Sequence, residues 1–441
     1  MEKKKYHIVT YGCQMNVHES EKLAGIMRDL GYEETIEEEN ADAILFNTCC
    51  IRENAEERAY GNIGALKNLK RRKKDLIIAV GGCMTQQNGA AEKLKKSFPF
   101  VDIVFGTHNL EDFKRLFEKK LTTKKSVLEI EPHEGAVTEG TPKYRTSYPN
   151  AWVNIMYGCN NFCTYCIVPY VRGRERSRKA DDIVEECKKL IAEGYKEITL
   201  LGQNVNSYGN EFQDGEENFA KLISRIASLD GKFRLRFMTN HPKDLSREVA
   251  RAIQENPKIC RAVHLPVQSG SNRILTAMNR HYSREEYFEK LSFLRETVPN
   301  CAVTTDVMVG FPSETEKDFE DTYDLMERAR FYGAFTFIFS PRSGTKAAVM
   351  DGQIPEEVSK ARIAKLIDLQ NRINREISEG YISKTVEVLT EGYDEKKKMY
   401  FGREEFGKMI YFTSEKDVFG EFINVKITKA NGISLIGTTE N

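Results

Sequence analysis

Short apolar runs alternate with longer amphipathic stretches along most of the chain, and each change of period marks one kind of element giving way to another. Residues 6–10, 43–46, 76–80 and 101–105 are compact apolar runs, as expected of strands buried on both faces of a parallel sheet. Residues 19–30, 53–69, 86–97 and 110–117 carry apolar positions three and four apart, the spacing of helices with one buried face. From 122 to 148 the pattern dissolves into Lys, Thr, Glu, Pro and Gly, which reads as a linker. A second alternation predicts strands over 152–157, 197–201, 234–238, 262–265, 302–309 and 335–339, with helices over 183–192, 287–295 and 316–328. Six such βα units predict a complete or partial barrel whose chemistry lies at the C-terminal ends of its strands. A helical segment follows from 355 to about 382. Beyond it, 386–389, 398–402, 408–412, 422–428 and 434–436 are short, turn-separated and β-rich, which suits a small barrel of the kind that often binds oligonucleotides.

The reading is therefore α/β, in three parts: a parallel α/β domain over 1–121, a (β/α)6 partial barrel over 145–375 and a small all-β barrel over 378–441. Length agrees, since 441 residues correspond to about three domains at roughly 150 residues each. Hydrophobic residues at 40%, with 30 glycines besides, exclude a wholly disordered chain. No apolar run approaches the ~18 residues of a membrane span. The opening is basic but has no apolar stretch behind it, so no signal peptide and no membrane partner are expected. Lys+Arg and Asp+Glu are 66 each; a neutral chain carries no global signature of nucleic-acid binding, so any such contact must be local.

The ten cysteines change the picture most. In a reducing, cytoplasmic compartment, clustered cysteines bind metal or react more often than they pair. Cys159, Cys163 and Cys166 stand in Gly158-Cys159-Asn160-Asn161-Phe162-Cys163-Thr164-Tyr165-Cys166, just after the first strand of the second series. Three thiolates so spaced can hold three irons of a [4Fe–4S] cube and leave the fourth open. Structural zinc, the competing reading, wants four closed ligands, and the nearest further candidates are His133 and Cys187. The spacing resembles that of the radical S-adenosylmethionine enzymes, which implies that the open iron chelates the cofactor and that an electron releases a 5′-deoxyadenosyl radical.

Cys13, Cys49 and Cys83 are far apart in sequence but lie 36 and 34 residues from one another, about one βα unit each. Each follows a strand candidate, and parallel strands end on one edge, where ligands bind. The turns Tyr11-Gly12-Cys13, Asn47-Thr48-Cys49 and Gly81-Gly82-Cys83 thus bring three thiols together, as a second cluster with an open iron or as three buried structural thiols. Of the adjacent pair, Cys49 matches the other two in its spacing from the strand. Cys187, Cys260 and Cys301 fall within helix or strand patterns and read as core thiols.

Together, the two sets resemble the radical SAM methylthiotransferases, which join an N-terminal cluster domain, a radical SAM barrel and a C-terminal TRAM barrel. The resemblance runs over essentially the whole chain. It rests on Tyr11-Gly12-Cys13-Gln14-Met15-Asn16, Asn47-Thr48-Cys49-Cys50-Ile51-Arg52-Glu53, Gly81-Gly82-Cys83, the stretch from Gly158 through Cys166 to Gly173, Leu201-Gly202-Gln203-Asn204-Val205-Asn206-Ser207-Tyr208-Gly209 and His264-Leu265-Pro266-Val267-Gln268-Ser269-Gly270. Within the family these segments are most similar to the branch that makes 2-methylthio-N(6)-isopentenyladenosine beside the tRNA anticodon. The alternatives are the branches acting on threonylcarbamoyladenosine or on a ribosomal protein side chain.

The resemblance implies two [4Fe–4S] clusters and two molecules of S-adenosylmethionine per turnover, one donating methyl and one the radical. Carbon 2 of adenine has a hydrogen of no useful acidity, so acid–base catalysis has little to grasp and a radical is needed. It also implies that Tyr165 packs on cluster or adenine, that Gly202, Gln203 and Asn204 meet the cofactor's amino group, and that Gln268 and Ser269 reach its ribose or carboxylate. Strand-end polar groups of this kind also serve structure. The partners implied are a tRNA anticodon stem-loop, an electron donor and an iron–sulfur or sulfur delivery protein, with the enzyme a monomer. Arg172, Arg174, Arg176 and Arg178 crowd one short run beyond the cysteine loop, where phosphate contact is expected. From Glu376 to Asn441 there are 12 acidic and 9 basic residues, so RNA contact by the last barrel is either local, through Arg403 and Lys408, or weak.

Overall fold

The computed structural model describes residues 3–50, 53–132, 137, 139–212 and 217–439; His133, Ile51 and Arg52 lie outside them. Two compact units emerge, one comprising 1–146, 156–162 and 166–177 and the other 147–155, 163–165 and 178–441.

In the first unit, β1 (Lys5–Thr10), β2 (Glu33–Glu34), β3 (Ala43–Thr48), β4 (Ile77–Gly82), β5 (Ile103–Phe105) and β6 (Val127–Glu129) form a parallel sheet in the order β2-β1-β3-β4-β5-β6. Successive side chains on a strand face opposite ways, and β3 divides its apolar run accordingly. Ala43 and Leu45 enter one core with Leu23 and Met27 of helix α1 (Gln14–Asp29) and with Phe113 and Phe117. Ile44 and Phe46 enter the other with Ile63, Leu66 and Leu94. Each large apolar side chain so buried contributes about 1.5–3 kcal/mol, and a continuous apolar run follows from having a core on both faces.

Four departures from the sequence reading stand out. α1 starts at Gln14, ahead of the apolar pattern, because its first turns bury Asn16, His18 and Glu19 and so show no hydrophobic stripe. The stretch read as one helix is two, Glu53–Ala65 and Lys67–Arg72. The stretch read as a linker contains β6, whose three residues are too few to display a period of two. Met156–Tyr157 pairs antiparallel with Arg176–Ser177, which ends the predicted strand 152–157 early.

The second unit holds six parallel strands in two ladders. Asn150–Asn154, Glu197–Leu201 and Arg234–Phe237 form one, and Ala262–His264, Ala302–Val309 and Gly333–Ile338 the other. A bridge from Leu235 to Ile259 connects the two, while among the described residues no ladder joins the first strand to the sixth. The barrel is partial. After the helix Glu356–Glu379, five strands (Thr385–Asp394, Met399–Arg403, Met409–Thr413, Phe422–Asn431 and Ser434–Thr439) close into a small barrel around Val388, Ile410, Phe412, Val425 and Leu435. Arg234 and Arg236 clamp it by donating to the backbone carbonyls of Glu387, Arg403 and Glu405. No helix among the described residues is long and apolar enough to cross a membrane.

Candidate metal centres and cofactor site

β1, β3 and β4 are neighbours in register, with Thr10 opposite Asn47 and Thr48 opposite Gly82. Their C-terminal ends deliver Cys13, Cys49 and Cys83 to one edge of the sheet. Two glycines permit the approach. Gly12 has φ +114°, and a methyl there would lie 2.6 Å from the Cys49 Cβ; Gly82 has φ +105°, and a methyl there would lie 2.4 Å from the Thr48 carbonyl oxygen. Both are conformations that glycine alone adopts without strain. Asn16 ties the edge together, donating to the Thr48 carbonyl at 3.1 Å, while Asn47 returns a bond to the Asn16 carbonyl at 2.8 Å.

The thiols differ in setting. Cys13 is exposed and Cys49, Cys50 and Cys83 are buried. Cys49 belongs to the aromatic core with Tyr11 and Phe46, whereas Cys50 packs with Cys83, Ile167 and Val171. The Cys50–Cys83 hydrogen bond, with Arg172 beside it, favours the Cys83 thiolate and pushes Cys50 up. Among the described residues no three Cys, His, Asp or Glu side chains already form a metal-binding group. The fit to an iron–sulfur cluster lies in the soft thiolate donors and in the register that assembles them. If a cluster binds on this edge, a Gly82→Ala change is expected to remove its iron without affecting iron bound by the other cysteine set, as counted by iron and acid-labile sulfide analysis.

In the other set, Cys159 and Cys166 are half-buried and Cys163 is buried. The Cys159 amide donates to the Gly173 carbonyl at 3.1 Å, and Asn161 donates toward the Cys159 Sγ at 3.5 Å. Cys163 has a partner that the sequence pattern did not reveal. Arg280, 4% exposed, reaches the Cys163 Sγ at 3.4 Å, Tyr282 Oη at 2.9 Å and the Pro266 carbonyl at 2.8 Å. Thr164 fixes the same stretch through Met278 and Ala277 carbonyls at 3.0 and 2.9 Å. Arg280 therefore holds the Cys163 thiol in place, as groups one step out from a metal do for its ligands. Arg280→Ala removes the donor to the Cys163 sulfur while Tyr282 keeps its bonds to the Val267 and Pro266 carbonyls, so at about 0.5–1.5 kcal/mol per lost bond it is expected to lower the thermal midpoint and reduce the bound iron.

The residues that the resemblance assigns to the cofactor divide into two kinds. Asn204 donates to Asp244 at 2.7 Å and accepts the His241 amide at 3.0 Å. Ser269 is fully buried against Thr322 at 3.3 Å and accepts from the Ser271 amide at 3.2 Å. Both side chains hold loops in place. Tyr165 packs onto Ile274, Met278 and Phe311. Gly202 is buried and Gln203 half-buried at the end of the second strand. Gln268 has φ +70° and bridges to Val307 of the fifth, where Asp306 lies 3.5 Å from His264.

Other strand-end groups fit a polar ligand better. Both side-chain amide atoms of Asn154 and of Asn206 are buried without a hydrogen-bond partner among the described residues, as are Asn240 Oδ1 and His241 Nε2. His241 Nδ1 accepts the Lys243 amide at 3.3 Å, and burial holds the ring neutral, so Nε2 carries an unused proton. Orphaned polar groups are destabilising unless something binds them. These groups lie at or just past the ends of the first three barrel strands, where such folds take their ligands. Asn206 sat inside a quoted motif, but Asn154 and His241 have no spacing that sets them apart.

The arginine run does not form one surface. Arg172 and Arg178 are 5% and 4% exposed. Arg172 makes a two-pronged pair with Glu19 at 2.6 and 3.1 Å, and Arg178 bonds the Asn154 carbonyl at 2.7 Å and Glu186 at 2.8 Å. Arg174 is exposed and lies over the Phe162 ring at 4.4 Å; Arg176 is half-buried. Arg403 pairs with Glu391 at 2.9 Å, and Lys408 is buried against Ser378 at 3.0 Å. A strip of arginines in such mixed settings looks uniform in sequence, because charge alone does not reveal which way a residue turns.

Comparison with known proteins agrees with both units. The Radical SAM superfamily model matches residues 153–326 and the model described as Uncharacterized protein family UPF0004 matches residues 5–106. A tRNA-2-methylthio-N(6)-dimethylallyladenosine synthase of Clostridium botulinum is 53% identical over 98% of this chain and 96% of its own. Proteins of the same name from Caldicellulosiruptor saccharolyticus and Carboxydothermus hydrogenoformans are 51% and 48% identical, over 98% and 99% of this chain and 92% and 99% of theirs. Among solved structures, the radical S-adenosylmethionine methyltransferase TsrM from Kitasatospora setae shares the fold with a TM-score of 0.59 at 14% identity, over 79% of this chain and 77% of that one.

Proposed function

The chain belongs to the tRNA-2-methylthio-N(6)-dimethylallyladenosine synthase family, and from that premise we propose how its residues divide the work of the reaction. It is a radical SAM tRNA methylthiotransferase that replaces the C2 hydrogen of N(6)-isopentenyladenosine by a methylthio group, using S-adenosylmethionine and [4Fe–4S] clusters. The observation that carries the reading is similarity over nearly the whole length, 53% identical across 98% of the chain.

Cys159, Cys163 and Cys166 would hold one cluster and Cys13, Cys49 and Cys83 the other. When bound, the first supplies the electron that cleaves S-adenosylmethionine to a 5′-deoxyadenosyl radical, and the second supplies the sulfur. Arg280 keeps Cys163 in place. The unpartnered amides of Asn154 and Asn206 and the neutral N–H of His241 offer the donors and acceptors that a zwitterionic cofactor or a purine edge requires. Asn204 and Ser269 shape the loops that present them. Losing one such bond costs about 0.5–1.5 kcal/mol, so Asn206→Ala should weaken S-adenosylmethionine binding about three- to tenfold by equilibrium dialysis, with the iron content unchanged.

Arg174, exposed beside the Phe162 ring, is the member of the arginine run best placed for a phosphate of the anticodon stem-loop, with Arg176 next to it. Arg403 is offered by the last barrel. Reductive cleavage needs a low-potential one-electron donor, and the sulfur needs a delivery protein to replace it. A cytoplasmic monomer is the state that suits these encounters. Nucleoside analysis of tRNA from a strain lacking the gene tests the reading: loss of 2-methylthio-N(6)-isopentenyladenosine supports it, and an unchanged content contradicts it.

A further inference from the structure

We propose that Arg172, locked by Glu19, is a positioning residue of the auxiliary cluster, setting the electrostatics of the sulfur-bearing site rather than holding RNA. Three observations meet here. The guanidinium is buried, and its fork is matched by the Glu19 carboxylate at 2.6 and 3.1 Å. Both side chains are nearly excluded from solvent, at 6% and 7%. The same guanidinium lies close enough to Cys83 and Cys13 for their charges to interact. Its helix, Val168–Arg172, carries Val171 into the apolar cluster with Cys50 and Cys83.

The chemistry explains why such a residue is useful. Three thiolates around a cluster concentrate negative charge in a buried place, where an unpaired charge is costly. A fixed guanidinium offsets it, and the local net charge is one of the levers that set a cluster's reduction potential. Glu19 orients the fork. Both residues line a cavity of about 350 Å³ together with Lys22, Tyr157 and Arg176. Lys in place of Arg would keep the charge but lose the planar fork.

The inference rests on the two-cluster reading, so its test is arranged to separate the two. In the chain with Cys159, Cys163 and Cys166 replaced by alanine, the auxiliary site is the only one left to hold a cluster. Iron and sulfide content, the electron paramagnetic resonance spectrum of the reduced protein and a redox titration are measured for that parent, for R172Q/E19Q and for R172K. The double change removes both charges together, leaving neither buried group uncompensated, and R172K keeps the charge should the double variant fail to fold. The expected result is retained iron in both, with the potential lowered and the spectrum altered in R172Q/E19Q and a smaller shift in R172K. Unchanged potential and spectrum in both variants would overturn the proposal, as would a loss confined to tRNA affinity. A parent that binds no iron overturns the auxiliary-cluster reading itself, and Arg172's role with it.

Discussion

Replacing Cys159, Cys163 and Cys166 together by alanine is expected to abolish 5′-deoxyadenosine formation and methylthio transfer while leaving about four irons on the chain. The loss should be complete within detection, at least about 10⁶-fold, because without the radical nothing else in the site can activate a carbon-bound hydrogen of this kind. Retention of the other irons follows from the fold. Cys13, Cys49 and Cys83 hang from β1, β3 and β4, whose ladder is continuous and whose two apolar cores are independent of the altered loop. Anaerobic iron and sulfide analysis, with chromatography of the cofactor products, checks both halves. A triple variant without iron would defeat the two-cluster account.

The opposite lesion should separate radical generation from sulfur transfer. Cys83→Ala removes the thiol that is drawn toward its thiolate form by Cys50 and Arg172, and thiolates are what bind iron. The auxiliary cluster should be lost, and about four irons should remain on the radical SAM loop. The variant is expected to go on cleaving S-adenosylmethionine to 5′-deoxyadenosine while forming no methylthio nucleoside. Product made at the parent rate would show that the sulfur comes from somewhere other than this edge.

The sequence disclosed most of this wherever chemistry or burial leaves a regular trace. Strands 197–201 and 302–309 coincide with Glu197–Leu201 and Ala302–Val309, because each keeps its buried positions largely apolar (Ile198, Leu200 and Leu201; Val303, Val307 and Val309). The spacing of Cys13, Cys49 and Cys83 was legible because a parallel sheet repeats its edge once per βα unit. What stayed hidden is polar and long-range. Arg280 meets Cys163 across 117 positions and Arg172 meets Glu19 across 153, and no local period encodes either pair. The start of α1 was missed for the same reason, since its buried face is lined by Asn16, His18 and Glu19 rather than by leucines. β6 was too short to be seen. The arginine run misled in the reverse direction: four similar residues in a row suggested a surface, yet two of them face inward to carboxylates.

On this reading one chain both generates the radical and gives up sulfur to a tRNA base. The most direct measurement is mass spectrometry of nucleosides after an anaerobic reaction in which the protein's clusters were rebuilt with heavy-isotope sulfide. The reaction holds reductant, S-adenosylmethionine and tRNA bearing N(6)-isopentenyladenosine. The account predicts a 2-methylthio nucleoside carrying the heavy sulfur, formed together with 5′-deoxyadenosine. A product without sulfur, or 5′-deoxyadenosine accumulating over an unaltered base while both clusters are intact, would contradict it.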